Sequence, residues 1–520
     1  MATAAPSKRR GRPAPAQLED VAQLPVRNHF LLIVGVMTAS LLQVLDITIA
    51  NVAIPHMQSS LGATPDTISW GLTSYIIASA VAMPITGWLA DRVGSRRLFL
   101  ISVTLFVGAS MLCGLAQNLE EMVLFRALQG VGGAFIAPLS QSSLLDTTRP
   151  SRQPQIIALW GMGVMIGPIL GPVLGGWLTE AANWRWVFFV NVPVGALCLV
   201  ILLAELPSRP LRRRKFDLFG FAMIGTALAS LQLLLDRGNV LDWFSSIETW
   251  LWLGLAVSAA WAAVIHSATA KEPLFDRRMF ADANFAISLV FMVVIGAVML
   301  ATMALLPPML QGLFGYSVVD TGLVLMPRGI GVLISMQLSG VLMRKGVDAR
   351  WIVAVGFLLG AWSLHDMAAW NLAADRWHFV VTGLFQGLGI GLVFIPLNAA
   401  AFATLPPELR TDGSSLLNLT RSVGSSVGIS IAMTLLARNL QRNHEELAGY
   451  VTPQASAMFD LSTLDRFQQY GRAGLAVVDA EVNRQAAMIA YLNDFYLMMW
   501  LSLAAVPLVL LMRRSPSYRR

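Results

Sequence analysis

The chain has 520 residues, 56% of them hydrophobic and 13% charged, with a formal net charge of +7. That composition excludes a soluble enzyme built round one core and points to a chain solvated largely by lipid. Two cysteines exclude a disulfide framework, and the absence of Cys/His clustering excludes a metal centre.

In chain order, a basic, proline-containing tail of residues 1–29 precedes an apolar run at 30–52 that is too long for a cleaved signal peptide. Further runs follow at 69–90, 98–116, 122–145, 156–178, 187–204 and 218–235. The remainder lie at 250–268, 285–306, 322–342, 352–370, 379–401, 416–435 and 492–512. Each is roughly the ~20 residues needed to cross a bilayer, so the sequence predicts fourteen spans. Lys and Arg alternate in density along the connections: 26 fall on the side of the termini and seven on the other, five of these in one long connection. The positive-inside rule then puts both termini in the cytoplasm, as an even number of spans requires. The same bias accounts for the net charge without any nucleic-acid partner.

Polar residues inside a bilayer are costly, so those that persist mark function. Asp46 is the one carboxylate well inside a span, about 9 Å below its outer end, and Arg126 enters the fourth span to a depth of about 6 Å. Similar depth and opposite charge predict a pair, or neighbours on one cavity. The alternative is a static ion pair that only fixes helix packing. Arg328 in the tenth span and Arg421 in the thirteenth either line a cavity or snorkel to headgroups. Arg185, between Trp184 and Trp186, reads as an interfacial anchor, and His365 and Asp366 as interfacial residues.

The fifth span carries Gly161, Gly163, Gly167, Pro168, Gly171, Pro172, Gly175 and Gly176. Glycines four apart let a neighbouring backbone approach and prolines bend the helix, which predicts a helix pair that flexes or slides. Gly387, Gly389 and Gly391 in the twelfth span follow no strand and read as packing, not as a dinucleotide loop. No phosphate-binding Gly-x4-Gly-Lys-Ser/Thr loop, His-Glu-x-x-His or Gly-x-Ser-x-Gly occurs, so neither an ATP engine nor a hydrolase is encoded. A many-span chain with one buried acid and flexing helices is best read as a secondary transporter.

Several segments resemble the major facilitator superfamily, in its fourteen-span drug:proton antiporter branch (the EmrB/QacA group, nearest to EmrB-type pumps). They occur in order. Leu45-Asp46-Ile47-Thr48-Ile49-Ala50-Asn51 through Pro55 is similar to that branch's first-helix motif. Gly87-Trp88-Leu89-Ala90-Asp91-Arg92-Val93-Gly94-Ser95-Arg96-Arg97 resembles the loop 2–3 signature, with Ser95 in place of a basic residue. Phe125-Arg126-Ala127-Leu128-Gln129-Gly130 resembles the fourth-helix motif, Gly171-Pro172-Val173-Leu174-Gly175-Gly176 the antiporter motif, and Trp184 through Pro193 a segment typical of the branch. Leu235-Asp236-Arg237-Gly238 followed by Leu241-Asp242-Trp243-Phe244-Ser245-Ser246 looks specifically EmrB-like.

The resemblance implies an all-α major facilitator fold with helices arranged 6+2+6. Its segments would be a tail (1–29), a six-helix bundle (30–205), a link with two inserted helices (206–270), a second bundle (271–512, with an outer loop at about 438–490) and a tail (513–520). It implies proton-driven export of lipophilic small molecules across a bacterial inner membrane, with no cofactor beyond the proton gradient. A periplasmic membrane-fusion adaptor and an outer-membrane channel would be partners. Asp46 and Arg126 would couple protons, and Asp91, Arg92, Gly94 and Arg96 would switch the cytoplasmic gate. Gln43, Asn51, Trp70, Tyr75, Gln129, Gln141, Arg328, Asn398 and Arg421 are the expected cavity lining. A carboxylate suits such coupling because burial favours its protonated form and a neighbouring Arg its ionised form. Export of one metabolite (a siderophore or fatty acid) on the same fold and a non-transporting receptor are the rival readings.

Overall fold

A computed structural model describes residues 22–238, 240–450 and 472–513, and among them every regular element is helical, with no strand. Most of the N-terminal tail, the middle of the long connection and residues 514–520 lie outside the described residues. The long helices are α1 (His29–Ser60), α2 (Trp70–Val93), α3 (Ser95–Leu115), α4 (Leu119–Thr147), α5 (Gln153–Ala181), α6 (Trp186–Glu205) and α7 (Leu218–Arg237). They continue with α8 (Ile247–Thr269), α9 (Ala283–Phe314), α10 (Val318–Arg344), α11 (Ala349–Ala368), α12 (Arg376–Ala403), α13 (Arg410–Ala448) and α14 (Arg472–Leu508). Thirteen helices among the described residues are long and apolar enough to cross a membrane, so this is a multi-pass membrane protein. Helix α5, at 29 residues, is a further long helix, with several of its side chains outside the described ones.

In lipid the backbone has no water to bond to, so each apolar run must satisfy itself as a helix. Polar residues start these helices. Asn28 accepts from the amides of Phe30 and Leu31, Asn118 from Glu121, Asp282 from Phe285 and Asp375 from His378. Each such cap contributes about 1 kcal/mol. Gly94 closes α2 at φ +100°, where a side chain would be strained.

Helices α1–α6 pack together, as do α9–α14. Helices α7 and α8 pair with each other, and α7 lies against α2 and touches α13. The two groups meet where α5 packs on α10 and where α2 and α4 pack on α13.

Two expectations need correction. Most of the expected outer loop at 438–490 is helix, because α13 runs on to Ala448 and α14 already begins at Arg472. The Asn443 side-chain amide donates to the Ala486 carbonyl at 3.2 Å and ties the two extensions together. Charged residues such as Arg442 and Glu446, paired at 2.9 Å one turn apart, hide this helix from a hydropathy reading. Arg185 is more than an interfacial anchor. Its Nη1 donates to the carbonyls of Gly114 and Ala116 at 2.8 and 2.6 Å, closing the end of α3, and its guanidinium lies 4.6 Å from the Trp184 ring centre.

Candidate functional site

Five helices converge on Asp46. Arg126 Nη1 of α4 donates to its Oδ2 at 2.7 Å, and the two side chains are only 2% and 1% exposed. Oδ1 accepts from Gln129 Nε2 at 2.8 Å and from Asn191 Nδ2 of α6 at 2.6 Å. Asn191 Nδ2 also donates to Ser110 Oγ of α3 at 2.9 Å, and Ser110 donates to the Phe188 carbonyl. Arg126 in turn reaches Gln129 Oε1 at 2.8 Å and the Gly71 carbonyl of α2 at 3.2 Å. The Tyr75 and Phe188 rings flank its guanidinium at 4.7 and 5.7 Å. The carboxylate meets donors and the guanidinium meets acceptors and π faces, which is what a buried charge pair needs to be tolerated.

Small residues make this convergence possible. A Cβ on Gly130 would stand 2.4 Å from the Tyr75 carbonyl, and one on Gly133 would stand 2.6 Å from the Tyr75 hydroxyl. The glycine face of α5 seats α1 within a turn of Asp46. A Cβ on Gly167, Gly171 or Gly175 would meet Val44, Thr48 or Ile49, and Thr48 Oγ1 donates to the Gly167 carbonyl at 3.3 Å. Gly176 faces open space, and the side chains of Pro168 and Pro172 lie outside the described ones. Gly387 and Gly391 press on the backbone of α10, a packing role.

A second polar cluster spans the two halves. Gln141 Nε2 of α4 donates to Asn398 Oδ1 of α12 at 2.7 Å. Gln141 Oε1 accepts from Ser414 Oγ at 2.5 Å and Asn418 Nδ2 at 3.2 Å, both on α13. Arg421 Nη2 lies 3.5 Å from Asn418 Oδ1, beside this cluster. Of the other expected lining residues, Gln43 is buried on α1 and Asn51 is exposed. Trp70 is half-buried, with the Arg237 guanidinium 5.6 Å from its ring centre. Arg328 is buried within the second half, donating to the Met299 carbonyl at 3.0 Å.

At the end that carries the basic connections, the halves are in contact. The carboxylate of Asp412 on α13 sits in the notch left by Gly87 on α2, where a Cβ would lie 1.6 Å from its Oδ1. Ser415 Oγ donates to the Met83 carbonyl at 2.5 Å. Arg214, in the segment between α6 and α7, donates to Asp412 at 2.6 Å and Asp91 at 3.3 Å. Burial works against the Arg214 charge, yet the Asp412 and Asp91 carboxylates hold the guanidinium above its ordinary range, so it stays cationic. Arg209 meets Asp146 of α4 and donates to Thr411 Oγ1 of α13 at 2.7 Å. Arg96 instead donates to the Leu203 carbonyl within the first half, and Arg92 is exposed.

Sequence reasoning missed several of these residues. Asn191 could have been found as the lone amide in the apolar run at 187–204. Asp146, Asp412, Arg209 and Arg214 sit at helix ends or in a connection, where charges read as ordinary solvated flanks. Asp494 on α14 is 1% exposed, and neither of its oxygens has a hydrogen-bond partner among the described residues.

Residues 36–429 match the family described as Major Facilitator Superfamily. The chain is 35% identical over 507 residues to the multidrug export protein EmrB of Escherichia coli (strain K12), covering 94% of this chain and 96% of that one. It is 33% identical over 484 residues to the fatty acid resistance protein FarB of Neisseria gonorrhoeae, covering 91% and 93%. Among solved structures, a double-tryptophan mutant of XylE superposes with a TM-score of 0.60 at 13% identity, covering 94% of this chain and 97% of that one. The human organic anion transporter MFSD10 gives 0.58 at 14% identity, covering 91% and 99%. At such identities these structures speak to the fold alone.

Proposed function

The chain belongs to the Major Facilitator Superfamily, and from that premise we propose that it exports lipophilic, often cationic, compounds across a bacterial inner membrane in exchange for protons. It is a secondary transporter and not an enzyme. In this reading α1–α6 and α9–α14 are the two moving bundles, α7 and α8 are the inserted pair, and the basic end is cytoplasmic with both termini there.

One observation carries the reading: a carboxylate 1% exposed, ion-paired to Arg126, in a chain 35% identical to a multidrug export protein. Asp46 is buried while the basic end is closed, and in this reading the proton comes to it from the opposite side as the first bundle opens there. Protonation removes the charge that holds Arg126, loosens the junction of five helices and favours cargo release outward. Return of the carboxylate to the cytoplasmic side lets the proton leave and the next compound bind from the cytoplasm or inner leaflet.

The test is purified protein in liposomes carrying an internal pH dye, challenged with lipophilic cations, uncouplers and fatty acids. A compound-dependent pH change that Asp46→Asn abolishes is the expected result. Normal proton-driven efflux by that variant would sink the assignment. A dedicated fatty acid exporter is the second reading, favoured by the 33% identity to the fatty acid resistance protein. A response confined to the fatty acids of the panel would select it. The paired extensions of α13 and α14 are the natural docking place for a periplasmic adaptor, and their shortening should then abolish adaptor co-purification.

A further inference from the structure

The segment 206–217 connects α6 to α7 without any helix of its own, and it does not hang free of the bundles. It is fastened to the end of α2 by its backbone. Arg212 N donates to the Asp91 carbonyl at 3.0 Å, Trp88 Nε1 donates to the Arg214 carbonyl at 3.2 Å, and the Trp88 and Phe216 rings lie 4.5 Å apart. From that mooring it delivers two guanidinium groups across the seam between the halves. Arg214 lies between Asp91 of α2 and Asp412 of α13, and its Nη2 donates to the Leu274 carbonyl ahead of α9. Arg209 lies between Asp146 of α4 and Thr411 of α13, and Arg410 of α13 approaches Asp146 from the other side at 3.4 Å.

We infer that Arg209 and Arg214 are the positioning residues that hold the basic end shut, with Arg214 acting as the single cation shared by one carboxylate from each half. Asp91 and Asp412 both face that guanidinium, which offsets the repulsion of the two ionised carboxylates across the seam. The backbone mooring makes the segment travel with the first bundle, so opening breaks the Arg214–Asp412 and Arg209–Thr411 contacts and keeps those to α2. The loop 2–3 arginines do not serve this role, because Arg96 is spent inside the first half and Arg92 and Arg97 are exposed. The consequence for transport rests on the alternating-access reading above, but the closure itself does not.

Full-length protein in nanodiscs, with spin labels at positions 97 and 345 on the basic end of each half and both native cysteines replaced, reports the separation directly. Arg214→Gln should raise the open-to-closed ratio roughly tenfold. Adding Asp412→Asn should recover most of the closed population, because Asp91 then faces no carboxylate across the seam at that position, and the nearby Asp276 is paired with Arg278. Arg214→Lys should fall between wild type and Arg214→Gln, since a point charge cannot serve both acids as a planar fork does. A wild-type distance distribution for Arg214→Gln would overturn the inference. So would an opening that Asp412→Asn leaves unchanged, which would mean that Arg214 acts only within its own half. The readout is a distance and needs neither cargo nor protons, so it fails separately from the Asp46 assignment.

Discussion

The molecule holds two Asp–Arg clusters that share a chemistry and differ in architecture. Asp46, Arg126 and their partners all belong to α1–α6, so that cluster can change its charge without any bundle moving. Asp91, Arg214 and Asp412 are drawn from both halves and the segment between them, so that cluster must break when the bundles part. In the proposed mechanism the first senses a proton and the second reports a conformation. Coupling between them needs a rigid path. α4 is the element that joins them, carrying Arg126 and Gln129 in the first cluster, Gln141 at the central seam and Asp146 at the basic end, with Pro138 between.

Breaking the first cluster should produce the largest effect. Arg126→Gln leaves a carboxylate 1% exposed without its cation, a loss on the order of 3–5 kcal/mol. The melting temperature in detergent should fall sharply, and Asp46→Asn added to it should restore much of the loss by removing the stranded charge. A double variant no more stable than Arg126→Gln would mean that the arginine acts by packing alone. If α4 couples the two clusters, both changes should also shift the spin-label distance across the basic end, and an unmoved distance would make them separate devices.

A steric pair sharpens the same contrast. An added methyl at Gly87 would meet Asp412 across the seam, whereas one at Gly130 would meet the Tyr75 carbonyl inside the first bundle. Gly87→Ala should open the basic end, raising the open fraction several-fold, with little change in melting temperature. Gly130→Ala should do the reverse, costing about 1–3 kcal/mol of stability and leaving the distance alone. If both variants simply unfolded the protein, the division between seam and bundle interior would be wrong.

The contrast also marks what a reading of the sequence could reach. The all-helical, many-span architecture and the meeting of Asp46 with Arg126 follow from hydropathy and charge, because lipid admits few alternatives. The family motifs add the glycine face of α5, which the structure sets against α1. The seam was not legible. Arg209 and Arg214 lie more than 190 residues from Thr411 and Asp412, and in one dimension both look like solvated charges obeying the positive-inside rule. The helical ends of α13 and α14 were hidden for the opposite reason, since charge on an extramembrane helix looks like charge on a loop. Asn191 was visible but uninterpretable until α6 was seen to lean on α3 and bring it to Asp46.

The smallest expected effect separates the clusters by solvent access. Arg214, which bridges the seam, is 29% exposed, although its partners Asp91 and Asp412 are 16% and 3% exposed, whereas Asp46 and Arg126 are both shut away from water. Mobile ions screen partly exposed pairs and reach buried ones poorly, with a Debye length near 10 Å at 0.1 M and about 3 Å at 1 M. Raising the salt from 0.1 to 1 M should therefore shift the basic end toward open by a factor of about two to three, in line with the modest worth of partly exposed ion pairs. The same change should leave the melting deficit of Arg126→Gln as it was. Salt that opened the basic end equally in wild type and Arg214→Gln would mean that the screened interaction is not the one this cation makes, and the closure would then rest on the seating of Asp412 at Gly87, on Ser415 and on the contacts of Arg209 with Asp146 and Thr411 and of Arg410 with Asp146.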